Sequence, residues 1–291
     1  MRRRALALAL LAAAVLAATP ALADFRHARM GARPRSMGSA YASLSDDPNA
    51  VFWNPAGLAR GTRWAAMVTR AWPYAVPELG TDDLVITLPG IKGVHLGVGA
   101  IRMGIDDLYH EDTYALAAGV RVPWLDGLSA GATVKLLRLA APGYERYNDP
   151  AYNGGDSGVA WDLGLHYEAD GPWTLGAVVQ NLNEPRLQLL DTTVDPDAVF
   201  SAWAAGGSYL FRDTLLIACD ARSRDGDWTN VTLHGGAEIW FFDALALRAG
   251  ISGGQVSMGV GLQDEHWQAD MALESAEELG NVYQFSFTVR K

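Results

Sequence analysis

From about residue 62 onward, the chain alternates apolar with small or polar residues in runs of roughly ten. The run at 158–168 shows the pattern most clearly. Its apolar positions are Val159, Trp161, Leu163, Leu165 and Tyr167, and they alternate with Gly158, Ala160, Asp162, Gly164, His166 and Glu168. A period of two predicts a strand with two different faces, and this length suits a tilted strand that crosses a membrane. One face therefore suits lipid, and the other suits an interior.

Counting such runs predicts an all-β fold, a transmembrane antiparallel β-barrel of about 14 strands. The predicted strands are 62–72, 82–89, 93–103, 112–121, 127–139, 156–169, 172–183, 197–210, 213–222, 229–241, 243–252, 254–263, 265–274 and 281–290. Long connections at 104–111, 140–155, 184–196 and 275–280 alternate with short ones at 90–92, 170–171, 211–212, 242 and 264. Barrels in the outer membrane have this asymmetry of long extracellular loops and short periplasmic turns. A soluble β-sandwich or a propeller is the alternative, but neither fold predicts this alternation of long and short connections.

The last run resembles the C-terminal recognition strand of outer-membrane barrels. It sets Tyr283, Phe285, Phe287 and Val289 against Gln284, Ser286, Thr288 and Arg290. It ends on Val289-Arg290-Lys291, whereas such strands usually end on an aromatic residue. The resemblance implies that the barrel assembly machinery and outer-membrane lipid are partners.

The N-terminus predicts export. Arg2 to Arg4 precede an apolar stretch, and Ala21-Leu22-Ala23 has the form of a cleavage site, so residues 1–23 are interpreted as a cleaved signal peptide. The alternative is an uncleaved membrane helix, for which the stretch is short. A net charge of -10 argues against nucleic acid as a partner. With 31 glycines, 10 tryptophans and only 19% charged residues, the composition suits a protein that is apolar on its outside.

Residues 24–61 do not alternate, and they contain the most distinctive string in the chain, at 36–58. Small residues around Gly38 suit a short helix pressed against a barrel wall, and the turn at 46–49 is expected to end that helix. Asn54-Pro55 predicts a second turn. Asp46 and Asp47 as calcium ligands or an acid–base pair are the alternative, but adjacent carboxylates lack the spacing of a calcium loop.

This string resembles the superfamily of outer-membrane long-chain fatty acid transporters and PorV/PorQ proteins, which carry a version of M-G-x-A followed by D-D-x-x-A-x-x-x-N-P-A-G-L. The resemblance implies that residues 24–61 fold as a hatch inside a barrel of residues 62–291. The hatch motif comprises Met37, Gly38, Ala40, Asp46, Asp47, Asn49, Asn54, Pro55, Ala56, Gly57 and Leu58.

Polar residues of the strands raise the question of catalysis. His95, His166, His234 and His266, together with acids such as Asp162 and Asp220, fall on interior faces or near strand ends, as a polar lumen requires. No nucleophile elbow, H-E-x-x-H pair, P-loop or paired-cysteine spacing occurs. We therefore expect no enzymatic activity, no catalytic residue, no metal and no cofactor.

Three functions fit an outer-membrane barrel with a hatch. The modest loops favour a PorV/PorQ-like role in protein secretion or surface export, in which Tyr144, Tyr147 and Tyr152 contact secretion-system or client proteins. The alternative is a channel for long-chain fatty acids or other hydrophobic small molecules, with Leu187, Leu189 and Leu190 as an apolar catching surface. Either loop is equally compatible with coverage by its own neighbours. A diffusion porin fits least, because the hatch would block it.

Overall fold

The computed structural model describes residue 25 and residues 30–73, 78–105, 107–193, 196–224, 227–275 and 280–291. The predicted signal peptide lies outside these residues. Fourteen strands form a closed antiparallel barrel, so the predicted fold class is confirmed. They are β1 Ala65–Trp72, β2 Leu79–Ile91, β3 Val94–Ile105, β4 Tyr109–Arg121, β5 Leu128–Ala140, β6 Asp156–Glu168, β7 Trp173–Gln180, β10 Ala202–Phe211, β11 Leu215–Arg224, β12 Asp227–Phe241, β13 Leu245–Ser252, β14 Gln255–Gln263, β15 Trp267–Glu274 and β16 Val282–Arg290.

The barrel closes where β1 pairs with β16, with Ala65 opposite Arg290 and Trp72 opposite Tyr283. Two further short strands, β8 Arg186–Leu187 and β9 Asp197–Ala198, pair only with each other. The barrel strand that was predicted at 197–210 therefore begins five residues later, at Ala202, because residues 197–198 belong to this separate two-stranded sheet.

Alternation along each strand separates lipid-facing from lumen-facing residues. The apolar positions of β6 are exposed, and the alternate residues Ala160, Asp162 and His166 are buried. β16 repeats the arrangement, with Phe285 and Phe287 outside and Gln284 and Ser286 inside. Trp240 faces the lumen, where its ring lies 5.5 Å from the inward Arg248 guanidinium. An apolar outer band and a polar lumen indicate an outer-membrane protein.

The two rims differ as expected, with exceptions. Short turns such as 92–93, 212–214 and 242–244 share one rim with the start of β1 and the end of β16, which identifies the periplasmic rim. The opposite rim carries the connections 141–155 and 181–201. The prediction of a long loop at 104–111 is wrong, because β3 continues to Ile105 and β4 already begins at Tyr109. Among the described residues, no helix is both long and apolar enough to cross a membrane.

Residues 30–61, here called the N-terminal segment, lie inside the barrel. They form helices α1 Ala32–Ser36 and α2 Ala50–Trp53 and a 3₁₀ helix Pro55–Arg60. The expected helix near Gly38 thus ends earlier, at Ser36, and Gly38 follows it with a positive φ of 62°. The turn at 46–49 begins a helix rather than ending one, because the Asp47 carboxylate accepts hydrogen bonds from the backbone and side chain of Asn49 just before α2.

Glycines of the barrel wall allow this segment to pack backbone against backbone. Gly119, Gly131 and Gly164 face each other on β4, β5 and β6 and contact the Asn54–Ala59 region. Gly236, Gly250 and Gly259 on β12, β13 and β14 contact Ser36, Met37 and Gly38. A Cβ on any of these six glycines would overlap an atom of the segment or the barrel, so the high glycine count has a steric cause.

Gly131→Val is expected to displace the N-terminal segment. Its Cβ would overlap the Pro55 carbonyl carbon and the Ala56 nitrogen, and overpacking of this kind costs about 1–3 kcal/mol. We expect protease to cut residues 30–61 faster in the folded variant. Ala132→Val, one residue along the same strand on the outer face, is the matched control. Equal cleavage of both variants would contradict the packing described here.

Candidate functional site

The lumen holds an ionic network that ties the N-terminal segment to β12 and its neighbours. The Arg33 guanidinium donates two hydrogen bonds to Glu238, at 2.9 and 3.0 Å. Arg248 donates to the same carboxylate at 2.5 Å and to Asp270 at 2.7 Å. All four side chains are buried. Two guanidiniums thus share one carboxylate, and a second carboxylate completes the pairing.

The same arginine organises the segment itself. Arg33 contacts Asp46 at 2.5 Å and the Tyr41 hydroxyl at 3.0 Å, and Tyr41 donates to Asp47 at 2.6 Å. Both aspartates of the sequence motif therefore neutralise an arginine or accept from a tyrosine. This arrangement gives Asp46 and Asp47 a structural role in holding the fold of the segment.

The charges of this group are set by burial and by Arg33. Burial raises the pKa of Asp46, but the Arg33 guanidinium more than offsets that effect, so the pKa lies below its ordinary value. Burial prevails at Asp47, whose pKa is raised despite Arg33. Burial lowers the pKa of Arg33, but Asp46 and Glu238 raise it well above its ordinary value. Arg33 and Asp46 consequently form a charged pair at neutral pH.

Further anchors fix the backbone of the segment. Asp220 accepts hydrogen bonds from the backbone N–H groups of Tyr41 and Ala42, at 2.7 and 2.8 Å. On β6, three strands from β11, the Leu165 carbonyl accepts from Asn54 at 3.0 Å. Within the segment, Asn54 donates to the Ala42 carbonyl at 2.8 Å and accepts from the Ala56 N–H. The backbone of the segment is therefore fixed at two places on the wall.

The remaining motif residues pack within this frame. Met37 and Ala40 are buried against Tyr41, Leu44 and Trp53, and Leu58 belongs to a second cluster with Val51 and Val85. The Trp53 indole N–H donates to the Met30 carbonyl at 2.8 Å. The structure thus brings the two halves of the motif together inside one barrel.

An apolar cluster lies in the extracellular half of the lumen, here called the outer apolar cluster. Leu137, Leu139 and Ala160 line it from β5 and β6, and Leu187 and Val199 enter it from the 181–201 connection. Phe25, Tyr109 and Leu189 pack against it. Leu187 is therefore buried in the lumen and does not belong to an exposed catching surface, whereas Leu189 and Leu190 are half-buried.

The barrel wall beside this cluster lacks part of its backbone ladder. Pairing of β6 with β7 runs only from Leu163 to Glu168. On the extracellular side of this pairing, the Asn183 side chain accepts a hydrogen bond from the Trp161 N–H at 3.1 Å and donates one to the Val159 carbonyl at 2.7 Å. Asn181 and Glu184 flank this contact with positive φ values of 53° and 43°. A side chain thus closes a stretch of wall that a strand closes elsewhere.

A cavity of about 540 Å³ lies on the periplasmic side of the N-terminal segment. Arg33, Asp46, Arg60, Asp264 and Arg290 are among its lining residues. The tyrosines of the 141–155 connection lie at the other rim, where Tyr144 contacts both Tyr147 and Tyr152 with ring centroids 5.4 and 5.5 Å apart. The cavity and the outer apolar cluster therefore lie at opposite ends of the lumen.

The sequence motif did not include Arg33 and Arg35. Arg35 donates to Gln284 at 2.7 Å and to Glu274 at 3.2 Å. An available signal was the alternation itself, which placed Asp220, Glu238 and Asp270 inside the lumen, where acids require cationic partners. Arg33 and Arg35, which lie just before the motif, were candidates for such partners.

Solved structures share this fold. The CymD monoaromatic hydrocarbon channel aligns with a TM-score of 0.62 and 14% identity, over 91% of this chain and 97% of that chain. The P. putida toluene transporter TodX gives 0.56 and 13%, over 90% and 96%, and a Pseudomonas aeruginosa FadL homologue gives 0.55 and 14%, over 87% and 97%. The TM-scores show that the barrel fold is shared with these FadL-type transporters. At such low identities the comparison shows the fold alone, and the PorV/PorQ branch stays a prediction.

No curated protein matches this sequence. A family model matches residues 109–272, from the start of β4 into β15, which is more than half of the chain. The protein therefore belongs to the family described as "F plasmid transfer operon, TraF, protein".

Proposed function

We propose that the protein is an outer-membrane channel for hydrophobic small molecules, with the N-terminal segment as its hatch. The observation that carries this proposal is the outer apolar cluster, which lies at the extracellular side of the lumen. Binding sites for small apolar ligands are concave and lined mainly by hydrophobic side chains. Leu137, Leu139, Leu187 and Val199 supply such a lining at the extracellular side.

The ionic network makes the axial route unfavourable for an apolar molecule. Passing the segment requires separation of buried pairs such as Arg33–Glu238, and breaking a buried pair costs about 3–5 kcal/mol. The incomplete wall between β6 and β7 offers a shorter path into the bilayer. Ala160, which lines the outer apolar cluster, lies on β6, and the Asn183 side chain bonds to the neighbouring backbone of the same strand. We therefore propose lateral release beside Asn183.

We favour this channel function over the role in protein secretion that the modest loop lengths suggested. Structural similarity to the CymD hydrocarbon channel extends over 97% of that chain, so modest loops do not separate this protein from hydrophobic channels. The tyrosines 144, 147 and 152 support the secretion hypothesis only in that they form one surface group.

Leu187→Asn is expected to reduce transport. An amide buried among Leu137, Leu139 and Val199 lacks the apolar contacts of leucine, which are worth about 1.5–3 kcal/mol, so uptake of labelled toluene or palmitate into proteoliposomes should fall about tenfold. Tyr147→Asn on the exposed loop is the control. Equal uptake by Leu187→Asn and wild type would reject the cluster as the binding site.

Asn183→Ala is expected to increase uptake of the same probes. The variant loses both side-chain bonds to β6 and keeps two weaker attachments, the Leu182 N–H bond to the Trp161 carbonyl and the Asn181 N–H bond to the Asp162 carboxylate. Asn153→Ala, in the neighbouring 141–155 connection, is the control. Unchanged uptake in Asn183→Ala, measured where Leu187→Asn lowers it, would reject lateral release and leave the binding site standing.

Glu238→Gln is expected to loosen the hatch. It removes the charge that Arg33 and Arg248 share, so Arg33 keeps its charged partner only within the segment, at Asp46, and Arg248 keeps its own on the wall, at Asp270. Planar-bilayer recordings should show more frequent opening, towards the higher conductance expected when residues 36–58 are deleted. Glu265→Gln, whose pair with Arg63 is exposed at 3.9 Å, is the control. Low conductance in the deletion variant would reject the hatch role.

A further inference from the structure

A row of alternating charge crosses the outer face of the barrel. Arg70 on β1 lies directly opposite Asp82 on β2, which lies opposite Arg102 on β3. Arg102 in turn lies opposite Asp112 on β4, and Asp112 opposite Arg138 on β5. Five consecutive strands thus place a charged residue on one line of paired positions, here called the outer charged row.

The row marks the extracellular end of the apolar band. One outward position closer to the periplasm, the same strands carry Val68, Leu84, Ala100, Tyr114 and Leu136. Except for the smaller Ala100, these residues are exposed large apolar side chains. Outward side chains directly beyond the hydrocarbon region of a barrel lie among lipid headgroups.

The row is confined to one side of the barrel. The outward positions of β13 to β16, all of them described, carry no charged residue; they are Leu245, Leu247, Ala249, Ile251, Val256, Met258, Val260, Leu262, Trp267, Ala269, Met271, Leu273, Tyr283, Phe285, Phe287 and Val289. If every strand needed a charged residue at the headgroup level, the outward positions of β13 to β16 would carry charged residues as well. The row therefore needs a cause specific to β1–β5.

Internal pairing does not exhaust the positive charge. Arg70 contacts Asp82 at 2.5 Å, and Arg102 contacts Asp112 at 2.7 and 3.1 Å. The Asp112 carboxylate is only 2% exposed, but the Arg102 side chain remains 55% exposed. Arg138 is exposed, and no described residue forms a hydrogen bond or ion pair with it. Arg138 therefore carries a positive charge that no described residue neutralises.

We propose that the outer charged row binds the phosphate group of an outer-leaflet lipid, with Arg138 as the principal contact and Arg102 as the second. A guanidinium binds phosphate through two parallel N–H bonds, and Asp112 holds Arg102 in place while leaving it exposed. The position of the row selects a lipid headgroup, because each of its residues lies one outward step beyond the side chains that face the hydrocarbon. This inference rests on the barrel and its apolar band, and it is independent of what the lumen carries.

The test is retention of diphosphoryl lipid A and of its dephosphorylated form by detergent-solubilised protein in native mass spectrometry. Wild type is expected to retain the phosphorylated form at least about fivefold better, which corresponds to roughly 1 kcal/mol. Arg138→Gln should reduce retention to the dephosphorylated level. It breaks no ion pair among the described residues, so folding is expected to persist, and heat-modifiable gel migration checks this.

Arg146→Gln is the matched control, because Arg146 lies over the Tyr147 ring at 5.2 Å in a loop outside the row. Equal retention by wild type and Arg138→Gln would overturn the proposal, and so would equal retention of the two lipids. Displacement of the lipid by millimolar inorganic phosphate would assign the site to a soluble anion and would also overturn it.

Discussion

The contact between Arg33 and Glu238 is the constraint on which the rest of the interior depends. A barrel of fourteen strands is too wide for its own side chains to fill, so it holds either water or another part of the chain. This chain supplies the N-terminal segment, and a segment inside a polar lumen needs fixed polar anchors. Glu238 holds Arg33, Arg33 holds Asp46 and Tyr41, and Asp220 holds the backbone of Tyr41 and Ala42.

The anchored segment divides the lumen into two ends. Charged side chains such as Arg33, Arg60 and Arg290 line the cavity on the periplasmic side together with apolar ones, and leucines of β5 and the 181–201 connection fill the extracellular side. In the proposed channel, an apolar molecule among these leucines would have to break the buried ion pairs to pass the segment. The wall at β6 would be the easier exit, because bonds from residues 181–183 replace the strand ladder there.

Periodicity predicted the barrel well because each strand repeats one solution, apolar outside and polar or small inside, as β6 and β16 show. It predicted the connections less well, since pairing beyond the apolar band depends on contacts that alternation does not encode. Leu187 illustrates the limit: its loop composition suited a surface, but the loop folds back onto Gly158 and Ala160. The motif marked the segment without its chief anchor, because Arg33 matters through Glu238, which lies 205 residues away.

The two faces of the wall also divide their work by strand. Lumen-facing charges that hold the segment concentrate on β11 to β16, as Asp220, Glu238, Arg248, Asp270 and Glu274 show. Outward charges concentrate on β1 to β5. The inner face of these strands holds the segment without an ion pair of this network, through Gly119 and Gly131, through the Thr133 hydroxyl bond to the Val51 carbonyl at 3.1 Å, and through the apolar packing of Leu58 and Val85. Attachment of that wall to headgroup phosphates would stiffen the side of the barrel that leads to the β6–β7 interruption.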